Sequence, residues 1–359
     1  VRRYSRTIKA IMIKKMKVIA TILVVFAMGC IFVMLNGLFR ERSFTKGREY
    51  LFTINKGDGL FVTAEKLRHA GIISSVKWFK LASWLQNPLT SLQPGIVHIK
   101  NPVSIWAVAK TITAGPKKNK LTLLEGWGYH EVNVFLNQNP LLIHTCPSCS
   151  SKDWLSQLDE NAPYPSLEGL LLPDSFYYFE GTKDREIYQR AYRSLQQVLN
   201  KIWSERDAGL PYRNPYELLI MASLIEKETG DADDRRLVAA VLINRLKKGM
   251  PLQTDPTVIY GLKDHYRGYL SKEQLQEDTP YNTYTRLGLP PTPIANPSRA
   301  SLKAAAHPAA VDYLYFVAKG DHSGKSQFSH TLMQHQRAVR SYRQNQARTV
   351  DHEENRKIH

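Results

Sequence analysis

Cysteine is scarce in this chain, with three residues in 359. Cys30 lies in an apolar stretch, while Cys146 and Cys149 form the sequence Cys-Pro-Ser-Cys. Because no second pair of this kind exists, a four-thiolate zinc site within one chain is excluded. A thioredoxin-like motif would begin a helix after a strand, whereas this pair lies in a loop rich in Pro and Ser. We interpret Cys146 and Cys149 as a local disulfide of an oxidising compartment, without a catalytic role.

Histidine ligands at metal-binding spacing are also lacking. The sequence has 11 His but no His-Glu-x-x-His pattern, the spacing that puts two ligands on one helix face. A metal-dependent hydrolase that uses His307, His322 or His330 is therefore a weak alternative. We expect neither a metal nor a cofactor.

Acidic residues are fewer than basic ones, 32 against 49, which gives a net charge of +17. Residues 1–50 hold eleven Lys and Arg and two Glu, so +9 falls there and +8 is left for the other 309 residues. A nucleic-acid-binding protein more often spreads its basic residues over the folded domain. We therefore expect anionic lipid, and no nucleic acid, as the partner of this basic end.

Charge is absent from one long run, Val18–Phe39, whose 22 residues are enough to cross a bilayer. Seven basic and no acidic residues precede it. The positive-inside rule then predicts a cytoplasmic tail at 1–17, a transmembrane helix at 18–39 and the remainder outside the cytoplasm. The alternative, a cleaved signal peptide, would have a shorter apolar region that ends in small residues. We favour the uncleaved anchor because this run ends in Leu-Asn-Gly-Leu-Phe.

A small α+β unit is predicted over residues 49–115, after a polar linker at 40–48. Its predicted order is strand, helix, helix, strand, at Glu49–Ile54, Phe61–Ala70, Lys77–Leu85 and Gly95–Ile99. This order resembles a LysM-like module, a class that binds glycans containing N-acetylglucosamine. A packing module without a ligand is the other open interpretation.

Residues 120–345 predict a second, mixed α+β domain, so the expected fold class of the whole chain is α+β. Residues 138–165 are rich in loop-forming residues. The last helix is expected at Thr331–Tyr342, and the tail at 346–359 is expected to be disordered.

The stretch Leu218–Gly230 predicts a buried helix, with Asn214 as its cap and Pro215 at its first position. At about 100° per residue, Glu226 falls on an apolar face and Glu228 points about 200° away from it. Burial and the negative end of the helix dipole both raise the pKa of a carboxyl group. Glu226 is therefore the predicted general acid, and a solvated surface glutamate is the alternative.

Two further polar residues have two interpretations each. Asn244 is an amide on an apolar helix face, where it either bonds a neighbouring element or holds Glu226 or a sugar group. Asp255 precedes Pro256, so it either caps a helix or takes part in the site.

Five motifs occur in one order: Ile225–Thr229, Val241–Leu246, Leu252–Val258, Tyr281–Tyr284 and Leu302–Pro308. Together they resemble the YceG-like family of membrane-anchored endolytic murein transglycosylases. The resemblance implies a single span of the bacterial inner membrane, a LysM-like subdomain and a YceG-like catalytic domain in the periplasm. The family's catalytic glutamate is the first Glu of its Glu-Lys-Glu-Thr motif, which here is Glu226.

The resemblance implies cleavage of peptidoglycan glycan strands between N-acetylmuramic acid and N-acetylglucosamine, without water. Glu226 would protonate the leaving oxygen and then take the proton of the C6 hydroxyl of muramic acid, which closes a 1,6-anhydro ring. A second carboxylate, needed in ordinary glycosidases, is dispensable because the nucleophile is part of the substrate. The expected substrate-binding residues are Asn244, Gln253, Asp255, Tyr281, Asn282, Thr283 and Tyr284.

The implied cellular role is to end the elongation of nascent strands, beside penicillin-binding glycan polymerases. Two alternatives stay open. One is a muramidase that uses water at the same bond, and the other is a non-enzymatic glycan-binding scaffold.

Overall fold

The structure is a computed structural model that describes residues 2–44, 47–88, 91–321 and 323–357. It is a mixed α+β fold, as predicted, and its sheets in the described part are two-stranded. The chain divides into two compact units, Val1–Asn119 with Tyr177–Thr182, and Lys120–Phe176 with Lys183–His359. We refer to them as the N-terminal unit and the C-terminal unit.

The N-terminal unit begins with α1 (Arg2–Phe39), one continuous helix. Among the described helices, it alone is long and apolar enough, over Lys14–Phe39, to cross a membrane. Over Lys14–Phe39 most of its apolar side chains are exposed, but Leu38 near its end is 1% exposed and belongs to the core of the unit.

The remainder of the N-terminal unit follows the predicted order. Its elements are β1 (Glu49–Ile54), α2 (Leu60–His69), α3 (Val76–Gln86), β2 (Gly95–Lys100), α4 (Ile105–Ala114) and the start of β3 (Lys118–Thr122). Strands β1 and β2 are antiparallel, with Glu49 opposite Lys100. Alternate residues of both strands, such as Ile54 and Ile99, face inward against α2, α3 and α4 and are buried.

The C-terminal unit is mainly helical. Its helices are α5 (Tyr129–Asn137), α6 (Ser151–Leu158), α7 (Asp184–Glu205), α8 (Pro215–Glu228), α9 (Arg235–Lys247), α10 (Asp255–Leu262), α11 (Lys272–Gln276), α12 (Arg299–Ala306) and α13 (Leu332–Lys357). The strands after β3 are β4 (Leu142–Ile143), β5 (Ser175–Phe179), β6 (Thr182–Lys183), β7 (Tyr315–Ala318) and β8 (Ser326–Ser329), and the stretch Tyr177–Thr182 of β5 and β6 belongs to the N-terminal unit. Strand β3 pairs with β5, β4 with β6, and β7 with β8.

Helix α8 lies at the centre of this unit. Every residue from Leu218 to Ile225 is buried, and α7, α9, α10 and α12 pack against it. Its start is as predicted, because Asn214 accepts a hydrogen bond from the Glu217 N–H (3.0 Å) and Pro215 occupies the first turn. A helix held on all sides gives its last turn a fixed position.

Two segments differ from the sequence prediction. Residues 138–165 contain the short helix α6, which is capped by Ser150 and Asp153 and buries Trp154. The last helix continues past Tyr342 to Lys357, because residues 343–357 contain neither Gly nor Pro to end it. The tail for which we predict disorder is thus helical as far as Lys357, and residues 358–359 lie outside the described part.

Candidate active site

The last turn of α8 carries two glutamates, Glu226 and Glu228, about 200° apart around the helix axis. The helix ends at Thr229, whose extended backbone donates its N–H to the Ile225 carbonyl. The two carboxyl groups therefore lie in different surroundings, and these surroundings determine which of them can act as an acid.

Glu226 is bound to the start of α12. One of its carboxylate oxygens accepts hydrogen bonds from the Ser298 N–H (2.9 Å) and the Ser298 hydroxyl (2.6 Å). Ser298 is also the cap of α12, since its hydroxyl oxygen accepts from the Ser301 N–H (3.1 Å). Burial, followed by the nearby charge of Glu226, raises the pKa of Glu125. Glu226 thus joins the end of α8 to the start of α12.

Glu228 has the environment that we predict for Glu226. It is half-buried, and burial raises its pKa from 4.5 to about 7. The charge of Asp255 raises it further, while that of Arg245 opposes the shift. In the part of the chain that the structure describes, its carboxyl oxygens accept no hydrogen bond from another residue. The argument from burial therefore applies to Glu228, and the predicted separation of about 200° between the two glutamates agrees with the structure.

Asp255 lies near enough to Glu228 for its charge to raise the pKa of Glu228, and it is held by Tyr284. The Tyr284 hydroxyl donates a hydrogen bond of 2.5 Å to Asp255 Oδ1. Burial, this bond and the charges of Asp255 and Glu228 raise the pKa of the phenol, so it stays protonated. Asp255 is the first residue of α10 and does not cap it, because Thr254 occupies the cap position. The second interpretation of Asp255, a residue of the site, fits this geometry.

Arg245 on α9 supplies the positive charge near Glu228. Only 8% of the residue is exposed, and its guanidinium donates to the carbonyl oxygens of Leu314 (2.7 Å) and Leu252 (2.9 Å). It also donates to Gln253 Oε1 (3.2 Å). Gln253 has a φ of 53°, a left-handed conformation that non-glycine residues adopt at a cost and that is common at functional sites. Arg245 therefore fixes the loop that leads to Asp255.

Asn282 and Thr283 are buried, and their polar groups are bonded within the protein. Asn282 Nδ2 donates to the carbonyl oxygens of Gln274, Leu275 and Glu277, and its Oδ1 accepts from the Tyr284 N–H (2.9 Å). The Thr283 hydroxyl oxygen lies 2.9 Å from that of Thr257 and accepts from the Thr254 N–H (3.0 Å). This geometry supports a role in fixing the loop, not the sugar-binding role that we predict.

Asn244 and Tyr281 are also bonded to neighbouring segments. Asn244 Nδ2 donates to the carbonyl oxygens of Val311 (2.9 Å) and Tyr313 (3.1 Å), which precede β7. The Tyr281 hydroxyl lies 2.9 Å from that of Thr292. Of the predicted binding residues, Asp255 and Tyr284 thus interact electrostatically with Glu228, and Gln253 is bonded to Arg245, whose charge also acts on Glu228.

Comparison with known proteins assigns the chain to a family. The model of the YceG-like family matches residues 52–341, which is most of the chain. The chain belongs to the YceG-like family. The resemblance drawn from the five motifs is therefore confirmed.

Curated relatives share the same name. The endolytic murein transglycosylase of Bacillus subtilis (strain 168) is 32% identical over 314 residues, which are 80% of this chain and 83% of that protein. The endolytic murein transglycosylase of Streptococcus pneumoniae serotype 2 (strain D39 / NCTC 7466) is 26% identical over 317 residues, 80% of this chain and 57% of that protein. A crystal structure of a yceG-like protein from Listeria monocytogenes is 26% identical, with a TM-score of 0.49, and covers 81% of this chain and 98% of that one.

Two residues of this YceG-like site were not singled out from the sequence. One is Arg245, which comes directly after Asn244 at the end of the apolar run Leu237–Ile243, and a charge at that place is a signal that could have drawn attention to it. The other is Tyr315 on β7, whose ring lies 5.2 Å from the Arg245 guanidinium and 5.2 Å from the His335 ring. A strand tyrosine gives no local signal, because its neighbour on α9 is about 70 residues away in sequence.

Two of the histidines considered as metal ligands are in acidic pairs. His307 Nδ1 lies 2.7 Å from Asp207 Oδ1, and His330 Nδ1 lies 2.7 Å from Asp312 Oδ1. His322 lies outside the described residues. Over the described ranges, no group of three or more His, Cys, Asp or Glu side chains is arranged to hold a metal ion.

Cys146 and Cys149 form the predicted disulfide. We expect the double variant Cys146→Ser, Cys149→Ser to retain glycan cleavage and to lose at most about 2 kcal/mol of stability, because the bond closes a very short loop. Other contacts hold this loop, including the hydrogen bond from the Tyr129 hydroxyl to the Cys149 carbonyl (2.6 Å). Turnover and thermal unfolding of the two proteins test this, and loss of cleavage with an intact fold would contradict it.

Proposed function

We propose that this chain is an endolytic lytic transglycosylase that cleaves peptidoglycan glycan strands between N-acetylmuramic acid and N-acetylglucosamine. Family membership and the name of its relatives support the substrate class and the reaction. The observation that carries the mechanism is Glu228, a half-buried carboxyl whose pKa is raised to about 7. A group with this pKa is able both to give and to take a proton at neutral pH.

The acid and base role belongs to Glu228 in this proposal, in place of Glu226. One oxygen of the Glu226 carboxyl group is occupied by the two donors of Ser298. The Glu228 carboxyl has no such donor among the described residues, so its oxygens are available to a substrate. Both residues belong to the same Glu-Lys-Glu-Thr motif, so the change leaves the family match intact.

The proposed reaction needs one carboxyl group. Protonated Glu228 gives its proton to the glycosidic oxygen as the bond from C1 of muramic acid to that oxygen breaks. The ionised Glu228 then takes the proton of the C6 hydroxyl, whose oxygen bonds to C1 and closes the 1,6-anhydro ring. Glu228 ends protonated, as it began, and no water is consumed. Intramolecular attack has a high effective concentration, which removes the need for a second carboxylate.

Asp255 and Tyr284 support Glu228 in this scheme. The negative charge of Asp255 favours the protonated form of Glu228 in the free enzyme. The hydrogen bond from Tyr284 fixes Asp255, and the Tyr284 ring, which is half-buried, provides a face against which a sugar ring packs. Gln253, which is exposed on the same loop, offers an amide to the sugar.

Helix α1 anchors the enzyme in the inner membrane, with residues after Arg40 in the periplasm. The packing of Leu38 supports an uncleaved helix, because cleavage after residue 39 would remove a side chain that is 1% exposed from the core. The N-terminal unit is LysM-like in its order of elements and binds the glycan strand. The enzyme ends the elongation of nascent strands near the membrane, beside penicillin-binding polymerases.

Mass spectrometry of the products from nascent glycan or purified sacculi tests the proposal. We expect ends of the 1,6-anhydro type, which are lighter by one water than hydrolysed ends. Products that carry the extra water would identify a muramidase. An absence of new ends, with glycan binding retained, would identify a scaffold protein.

The pH dependence of cleavage tests the assignment of Glu228. Because the acid must be protonated, we expect kcat/KM to fall as the pH rises above about 7. Since the charge of Asp255 raises the pKa of Glu228, Asp255→Asn should move this fall to lower pH. Tyr284→Phe is the matched control, because it removes the hydrogen bond to Asp255 but keeps the charge. An unchanged pH profile in Asp255→Asn would contradict the assignment.

A further inference from the structure

The end of α1 is part of the fold of the N-terminal unit. Leu38 is 1% exposed within its core, and Met34 packs against the same core. A Cβ atom at Gly37 would lie 2.8 Å from Trp78 Cε2, so the helix backbone lies directly on the ring of Trp78 on α3. The rings of Phe39 and Trp106, the latter on α4, lie 5.2 Å apart.

The segment after α1 is bound to the same unit. Arg42 and Val103 form a bridge in which each N–H donates to the other's carbonyl, both at 3.0 Å. The Phe44 N–H donates to Asn101 Oδ1 (3.1 Å). The unit is therefore tied to the end of α1 over residues 34–44, and a flexible tether at the start of the predicted linker is excluded.

Helix length places this contact at the membrane surface, given the proposal that α1 spans the bilayer. The apolar run Val18–Phe39 has 22 residues, so it is about 33 Å long. The hydrocarbon core of a bilayer is about 30 Å thick. The residues from Met34 to Phe39 therefore lie at its outer boundary, and the side chains of α3 and α4 that touch them lie at the same depth.

The side chains at this edge suit a lipid interface. Trp78 and Trp106 are half-buried, and Gln86 Nε2 on α3 donates to the Trp106 carbonyl (3.1 Å). Leu85 lies two turns after Trp78 on the same face of α3 and is 48% exposed, while the neighbouring Trp84 is 60% exposed. Tryptophan is enriched at the boundary of lipid and water, where its ring meets both.

We infer that the N-terminal unit is seated on the outer surface of the bilayer, with the edge formed by the end of α3 and the start of α4 in the headgroup region. The partner at this surface is lipid. Arg40 and Arg42, both exposed directly after α1, place positive charge at the level of the lipid phosphates. This contact with the headgroups fixes the distance of the N-terminal unit from the membrane surface. Under the proposed function, nascent glycan is made near this surface.

Spin labels on the full chain in vesicles of phosphatidylethanolamine and phosphatidylglycerol test the inference. The label is placed at Leu85→Cys in a Cys30→Ser background, and its collisions with oxygen and with a water-soluble nickel chelate are measured. The matched control is Phe61→Cys, which is also apolar and exposed (59%). Phe61 lies near Lys80, on the side of α3 opposite Trp78. We expect the ratio of oxygen to nickel collisions to be several-fold higher at position 85 than at position 61.

A label on the native Cys30, which is free and lies within α1, separates the two proposals. A high ratio of oxygen to nickel collisions at Cys30, with equally low ratios at positions 85 and 61, would overturn the contact of α3 and α4 with the headgroups but retain the membrane anchor. Low ratios at both Cys30 and position 85 would overturn both proposals. We expect the highest ratio at Cys30, an intermediate ratio at position 85 and the lowest ratio at position 61.

Discussion

Glu228→Gln is expected to lower the rate of anhydro-product formation by about 10²–10⁴-fold, the usual contribution of general acid and base catalysis. Glutamine keeps the shape of the side chain but cannot transfer the proton. Glu226→Gln is the matched control, two residues away in the same helical turn. Its amide oxygen still accepts from the Ser298 N–H and hydroxyl, so we expect a much smaller loss of rate. The rate of new anhydro ends, measured by mass spectrometry at pH 6–7, compares the two variants.

Stability measurements on the same variant show whether the loss is chemical. The pKa of Glu228 is raised from 4.5 to about 7, so ionisation of this group disfavours the folded state. Neutral Glu228 therefore contributes fully to the free energy of unfolding of the wild type below about pH 4.5. This contribution is lost as the pH rises through about 7. At about 1.4 kcal/mol for each pKa unit, the loss of stability is at most about 3.5 kcal/mol.

Glu228→Gln should escape this loss, so its melting temperature should match that of the wild type near pH 4 and exceed it near pH 8. An inactive variant with this dependence of melting temperature on pH is folded and has lost only the proton transfer. If Glu226→Gln instead loses as much activity as Glu228→Gln, the acid has been assigned to the wrong carboxyl group.

Gly169→Ala is expected to destabilise the C-terminal unit by about 2–5 kcal/mol, from a left-handed backbone that disfavours alanine and from overpacking. Gly169 is buried and has a φ of 72°. An added Cβ would lie 2.3 Å from Pro293 Cβ and 3.1 Å from the Ala295 carbonyl oxygen. Pro293 is confined by its ring, so neither neighbour is free to move aside.

Gly209→Ala separates the two causes. Gly209 has nearly the same φ, 74°, but is exposed, and an added Cβ would meet no atom within 4 Å. We expect it to cost only the conformational part, about 1–2 kcal/mol. Urea unfolding of the full chain in detergent compares both variants with the wild type. Equal costs for the two alanines would show that the contact of Gly169 with Pro293 and Ala295 contributes nothing.

The positions of Glu226 and Glu228 around α8 are predictable from the sequence, but their surroundings are not. Helical periodicity places Glu226 and Glu228 on different faces of α8, and the structure has them so. Periodicity does not say what packs against each face. Ser298, about 70 residues further along the chain, bonds Glu226 on one face. The charge that acts on Glu228 on the other face comes from Asp255, which follows in the chain only after helix α9. The burial of each carboxyl depends on these distant segments.

The predicted binding residues also belong to a motif that the sequence shows, while their roles depend on neighbours that only the structure shows. The motif Tyr281–Tyr284 is visible in the sequence, but its four residues have different roles in the fold. Asn282 bonds three carbonyl oxygens near the end of α11, while Tyr284 reaches Asp255. A polar residue in a motif is equally suited to hold a loop or a sugar, and only the positions of its neighbours decide between the two roles.

The sequence by itself determined the features that depend on local chemistry. These are the apolar run of membrane length, the capped start of α8, the Cys146–Cys149 pair, the α+β class and the ordered motifs that identify the family. The tertiary structure decided that burial raises the pKa of Glu228, that the charges of Asp255 and Arg245 act on this group, and that the end of α1 is part of a folded unit. The physical reason is that a pKa depends on the burial and charges that distant segments bring to a group, whereas caps, spans and short disulfides depend on residues adjacent in the chain.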